Sequence, residues 1–138
     1  MGSYCEFTSY NPRNHLSIFR GRNIFGDSEG HITDDSQMAL CLAFGLMDNP
    51  KLVDLNPSFP YFYYCLWNLF KPKDIGNTTR TALQILPYSK FLKSGPWNCF
   101  TDYMSQTIKQ YNMQSLANGS LMRSSPLNVW FYYAYRNL

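Results

Sequence analysis

The uncharged run Met38-Ala39-Leu40-Cys41-Leu42-Ala43-Phe44-Gly45-Leu46-Met47 puts apolar residues on every side of a helical period. That pattern predicts a helix over about 35–47 that is buried on all faces, because a helix with no polar side has no face to offer water. His31-Ile32-Thr33-Asp34-Asp35-Ser36-Gln37 leads into it. Asp34, Asp35 and Ser36 fall at its N-terminus, where side-chain oxygens accept orphan backbone N–H groups and the helix dipole favours negative charge. Asp34 with Gln37 three residues later is a variant of the capping box. Asp48-Asn49-Pro50 closes the helix.

The same patterning predicts further helices downstream. Ser58 to about Phe70 has Ser58 as cap and Pro60 in the first turn. Its Phe59, Phe62, Tyr63, Leu66, Trp67 and Phe70 form a stripe at helical spacing, expected to face the core. Asn77 to Leu86 follows, with Ala82, Leu83 and Leu86 inward and Pro87 beyond the end. A fourth helix is expected at about 97–112 on the spacing of Phe100, Met104, Ile108 and Tyr111. After the Asn118-Gly119 turn, Leu121 onward reads as a fifth helix that Pro126 interrupts, running into the aromatic tail Val129 to Tyr135. Residues 1–30 are punctuated by Gly, Pro, Asn and Ser and read as irregular; a long ordered loop of that kind is more often functional than filler. Strand-like alternation is absent, so the fold class is all-α, in one domain spanning residues 1–138.

Composition narrows the function. With 45% hydrophobic and 15% charged residues the chain is a folded globular protein. A formal charge of +3 with scattered Lys and Arg gives no basic stripe, which argues against nucleic acid as a partner. The first fifteen residues are polar, and no apolar run approaches the ~20 residues that span a bilayer. Cys5, Cys41, Cys65 and Cys99 are far apart and form no Cys-x-x-Cys pair, so they read as reduced thiols in a cytoplasmic compartment.

Thr33, Asp34 and Asp35 admit two readings. One is a well-capped core helix. The other is a set of oxygen ligands for a hard divalent cation such as Mg²⁺, which prefers oxygen donors and keeps several waters. A cap needs only one acidic residue, and two adjacent carboxylates repel each other unless a cation or donors neutralise them.

Three loop-to-helix junctions carry a resemblance. Residues 33–40 resemble the Thr-Asp-Asp-Thr/Ser-x-Met-Ala-Leu stretch of the ADP-ribosylglycohydrolase family, the dinitrogenase-reductase-activating and related ADP-ribosyl hydrolases. Residues 76–80 resemble its Gly-Asn-Thr-Thr-Arg helix start, and residues 118–127 its Asn-Gly-(Ser/Ala)-(Leu/Ala)-Met-Arg-x-x-Pro-Leu block. The opening Gly2-Ser3-Tyr4-Cys5-Glu6-Phe7 is similar to the segment that carries the family's substrate-facing glutamate.

The resemblance implies an orthogonal multi-helix bundle with two Mg²⁺ ions in a cleft, where ADP-ribose is released from an ADP-ribosylated protein. It makes Thr33, Asp34 and Asp35 metal ligands, with Glu6, Asp34 and Asp35 catalytic and Glu6 the substrate-facing glutamate. Gly76, Asn77 and Thr78 would lie near the distal ribose or the metal-bound face. Ser115, Asn118, Gly119 and Met122 would line the diphosphate and adenosine side. A glycine junction that opens a helix presents N–H groups to a phosphate, and a metal pair can hold ribose hydroxyls and sharpen a water. Asn118-Gly119 also reads as an ordinary turn, and Asn77 as a helix N-cap.

Two departures bear on activity. The Gly-Asp pair expected before Gly2 is replaced by Met1, and the family's second acidic block, Asp-x-Asp-Thr, has no counterpart, since the last acidic residue is Asp102. The expectation is therefore half of a metal site in a partial domain. Either the other half comes from a longer product or a partner chain, or the chain is a catalytically inactive scaffold subunit of a larger assembly.

Overall fold

The computed structural model describes residues 25–28, 30–49, 55–83, 105–106 and 108–136. Five helices are named here: α1 (Asp34–Met47), α2 (Ser58–Leu69), α3 (Asn77–Leu83), α4 (Gly119–Met122) and α5 (Ser125–Arg136). A further helical turn lies at 108–111, and the described residues contain no strand, so the fold is all-α. Leu86, Phe100 and Met104, and with them the ends of two expected helices, lie outside the described residues. So do Cys5, Cys99 and Glu6.

Packing centres on α1, which lies principally against α2 and also touches α5, while α2 meets α3. Met38, Tyr61 and Leu83, one from each of α1, α2 and α3, are buried together, with Tyr64, Cys65 and Trp67 packed against them. The closest approach falls at Gly45. A Cβ there would overlap Pro60 Cα and stand 2.5 Å from Pro60 N and 2.9 Å from the Phe59 carbonyl carbon. Only a residue without a Cβ lets the end of α1 lie directly on the first turn of α2.

Several expectations need correction. α1 is not buried all round: Met38, Gly45 and Leu46 are, but Leu40, Phe44 and Met47 are exposed. Its apolar circumference exceeds what its described neighbours cover. The core face of α2 keeps only part of the expected stripe. Trp67 packs against the core as expected, but Tyr61 and Ser58 are the buried residues, Tyr64 and Cys65 join the core, and Phe70 is 80% exposed. Tyrosine makes this possible, because a ring can bury once its hydroxyl finds a partner. The Tyr61 hydroxyl donates to the Ala82 carbonyl at 2.9 Å.

The start of α2 shifts by one position. Ser58 is helical and buried, and its N–H is taken by the Asn56 side chain at 3.0 Å. Asn56 N–H in turn donates to the Asn49 side chain at 3.1 Å, tying the end of α1 to the start of α2. Pro126 does not interrupt a helix. It sits in the first turn of α5, where its missing N–H costs nothing, and the Ser124 carbonyl accepts the first helical N–H groups from Leu127 and Asn128. No helix among the described residues is long and apolar enough to cross a membrane. Cys41 and Cys65 are free thiols, and burial pushes both up, Cys65 to about 11.

Candidate functional site

The mouth of α1 is built from Thr33, Asp34 and Asp35, all half-buried. Thr33 is the N-cap, in extended conformation (φ −90°, ψ −174°), and its hydroxyl makes no capping bond. Asp34 Oδ1 accepts the Asp35 N–H at 2.9 Å. The expected capping box is not formed. Gln37 donates from Nε2 to the Ile32 carbonyl at 2.7 Å and accepts the Trp67 Nε1–H at 2.7 Å through Oε1. The Asp35 carboxyl is pushed up from the ordinary carboxylate range, first by burial and then by the Asp34 charge, with the Arg123 guanidinium opposing.

The second junction opens α3. Gly76, rather than Asn77, holds the cap position, since its carbonyl accepts the Arg80 N–H at 2.9 Å. Asn77 is the first helical residue, and its carbonyl accepts the Thr81 hydroxyl at 2.9 Å. Thr78 reaches out of α3 toward the third junction: its hydroxyl lies 2.8 Å from Ser115 Oγ, and its carbonyl accepts Asn112 Nδ2 at 3.4 Å.

The third junction begins at Asn118, the N-cap of α4, whose carbonyl accepts the Leu121 N–H at 2.9 Å while its side chain makes no capping bond. Met122 is exposed and lines an open recess of about 450 Å³ shared with Asp35, Ser36, Ala39 and Ser125. Ile32 borders both this recess and a second one of about 340 Å³, which Thr33 and Asp34 line with Asp27, His31, Trp67 and Lys73. There the Asp27 carboxylate, largely covered, pairs with Lys73 and lies 3.6 Å from His31 Nε2.

Arg123 draws the junctions together. Its Nη1 donates to Met38 Sδ at 3.0 Å and Thr79 Oγ1 at 3.4 Å, and its guanidinium lies 5.7 Å from the centroid of the Tyr64 ring. One side chain from the third block therefore touches α1, α2 and α3. Sequence reasoning quoted Arg123 inside its block but gave it no role; the signal was that it is the sole cation of the 118–127 stretch. Of the other residues expected at the site, Asp35 and Met122 share a recess and Thr78 meets Ser115. Gly76, Asn77, Asn118 and Gly119 border neither recess. Glu6 lies outside the described residues.

Among the described residues no group of three or more His, Cys, Asp or Glu side chains is gathered as a metal site. What the mouth of α1 does offer is two carboxylates and a hydroxyl on consecutive residues, with the charge of one carboxylate already opposing ionisation of the other. Those are oxygen donors of the type a hard cation takes, and only part of a full set.

The ADP-ribosylglycohydrolase family profile matches residues 1–137. A protein of Acanthamoeba polyphaga mimivirus, provisionally named as an ADP-ribosyl glycohydrolase, is 29% identical over 145 aligned positions, covering 96% of this chain. The chain spans 38% of that relative's length. No solved structure matches the chain. With a profile match over nearly its whole length and three motif blocks gathered around Arg123, the chain belongs to the ADP-ribosylglycohydrolase family.

Proposed function

We propose that this chain carries one half of an Mg²⁺-dependent site that hydrolyses ADP-ribosyl linkages, releasing ADP-ribose from a modified protein. The observation that carries the reading is the reach of Arg123 from the third block to Met38, Thr79 and Tyr64, which holds the three family blocks as one unit. Thr33, Asp34 and Asp35 would hold the ion through oxygen. When bound, it supplies Lewis-acid polarisation and a water of lowered pKa. Asp35 suits that task because burial and the neighbouring Asp34 charge oppose its ionised form, and a bound cation would relieve what the fold opposes. The paired hydroxyls of Thr78 and Ser115 form a fixed polar point for a ribose or phosphate oxygen. A Cβ at Gly76 or Gly119 would meet nothing within 4 Å, so a ligand can approach the backbone at both junctions. Glu6 takes the substrate-facing role by resemblance to the motif.

Three side chains from one turn do not complete the site. The remaining acidic ligands are proposed to come from outside residues 1–138, on a continuation or a second chain, in keeping with a relative much longer than this chain. Free Cys41 and Cys65 suit a reducing, cytoplasmic setting.

The test is release of ADP-ribose from an ADP-ribosylated protein, with and without Mg²⁺. Residues 1–138 alone should be silent; joined to the missing acidic block they should turn over in Mg²⁺, and Asp35→Ala should abolish that turnover. Turnover by residues 1–138 alone would overturn the half-site account. A completed domain that stays silent would make this chain a scaffold subunit instead.

A further inference from the structure

The Thr33 hydroxyl makes no capping bond, so what places it is the backbone that sets the Thr33 Cα–Cβ direction. The two peptide groups that define its φ and ψ carry the carbonyls of Ile32 and Thr33. The Thr33 carbonyl accepts the Gln37 backbone N–H at 3.0 Å, and the Ile32 carbonyl accepts the Gln37 side-chain Nε2–H at 2.7 Å. One residue thus holds both peptide planes.

The far end of that side chain is anchored in turn. Trp67 Nε1–H donates to Gln37 Oε1 at 2.7 Å, and Trp67 packs against the buried Met38–Tyr61–Leu83 cluster. An indole N–H can only donate and a carbonyl can only accept, so the carboxamide has one orientation that satisfies both. The chain of bonds runs from the core, through Trp67 and Gln37, to the backbone before Asp34.

We infer that Gln37, braced by Trp67, is a positioning residue that fixes the backbone of Thr33 and so aims the Thr33–Asp34 oxygens at the proposed cation. The inference rests on the proposed Mg²⁺ role of that turn. Neither side chain touches the reacting atoms. Their contribution is to keep the ligand oxygens from having to be ordered when the ion arrives, which is where preorganisation adds affinity.

The experiment compares the full protein with Gln37→Met, which keeps side-chain length and removes both polar ends, and with Trp67→Phe, which removes the indole N–H. Mg²⁺ affinity is read by calorimetry with the metal alone, backbone order by hydrogen exchange, and global stability by thermal unfolding. We expect Gln37→Met to weaken Mg²⁺ binding about tenfold and to speed exchange of the residue-37 backbone N–H, which donates to the Thr33 carbonyl, about tenfold, with exchange in α5 unchanged. Trp67→Phe should give a smaller change of the same sign, and the double variant should be no worse than Gln37→Met, because the two act in series. Equal Mg²⁺ affinity in Gln37→Met and the parent overturns the inference, even if melting temperature falls, since that is what a merely structural bond would do. A parent protein that binds no Mg²⁺ refutes the proposed function instead. The bracing of Thr33 is then judged by exchange alone, and unchanged exchange of the residue-37 backbone N–H in Gln37→Met refutes that as well.

Discussion

Gly45→Ala tests the contact that sets the spacing of α1 and α2. An added Cβ would overlap Pro60 Cα and stand 2.5 Å from Pro60 N and 2.9 Å from the Phe59 carbonyl carbon. Carbon atoms prefer about 3.5–4.0 Å, so the helices must part by roughly 1 Å or more at this point. Every colliding atom is backbone, and none can rotate out of the way. Overpacking of this type costs about 1–3 kcal/mol, and a rigid clash belongs at the upper end. Against it stands about 1 kcal/mol gained by replacing Gly with Ala inside a helix. The net expectation is a loss of roughly 2 kcal/mol, or a fall in melting temperature of about 5–10 °C for a domain of this size. Urea denaturation with an unchanged m-value and a lower midpoint would locate the effect in the folded state. Ala43→Gly, on the same helix, is the control: it should cost about 1 kcal/mol through propensity alone. A Gly45→Ala protein as stable as the parent, or more so, would refute the close approach and the helix spacing built on it.

The Asp35 carboxyl is raised in the fold, so the unfolded chain ionises first as pH rises and stability is lost across the window between the two values. Asp35→Asn escapes that loss. Measured without divalent cations, its melting temperature should therefore gain on the parent as pH rises through the carboxylate range; a difference that stays flat with pH would contradict the burial and Asp34 repulsion. Arg123→Met keeps most of the side-chain bulk but gives up two hydrogen bonds and the stacking on Tyr64, and should lower stability by about 1–3 kcal/mol in urea denaturation. An effect near zero would show that Arg123 does not hold the blocks together. ADP-ribose should raise the melting temperature of the parent by mass action. Gly119→Leu, placed where a Cβ meets open space, should leave the unliganded melting temperature nearly unchanged and remove that rise. A rise that survives would place the ligand elsewhere.

What was legible in the sequence was local. The acidic start of α1 and the three motif blocks are written in neighbouring residues, and the helices that carry them begin within two residues of the expected positions. What was not legible depends on partners distant in the chain. The choice of buried face on α2 is an example: its aromatic residues run round the whole helix, and the Ala82 carbonyl, offered by α3, takes the Tyr61 hydroxyl so that its ring can turn inward. Gln37 is another. Three positions after an aspartate it suggests a capping box, yet Trp67, thirty residues on, supplies a better donor for its carbonyl oxygen. Pro126 was misread for a different reason: the same residue breaks a helix in its interior and begins one in its first turn, and the distinction lies in where Ser124 places the first accepting carbonyl.

The relay from Asn49 to Asn56 to Ser58 joins the end of one helix to the start of the next across a short stretch of chain. Contacts so close in sequence close cheaply and early in folding, whereas Arg123 must find Met38 from 85 residues away. The α1–α2 hairpin is therefore the part of the chain suited to nucleate. The Arg123 block, closed over a far longer loop, is expected to dock later and to open at less cost than global unfolding. A molecule assembled in that order can expose and rebuild the mouth of α1 while its first hairpin stays intact, and a ligand that bridges the blocks would slow that breathing without needing to reshape either one.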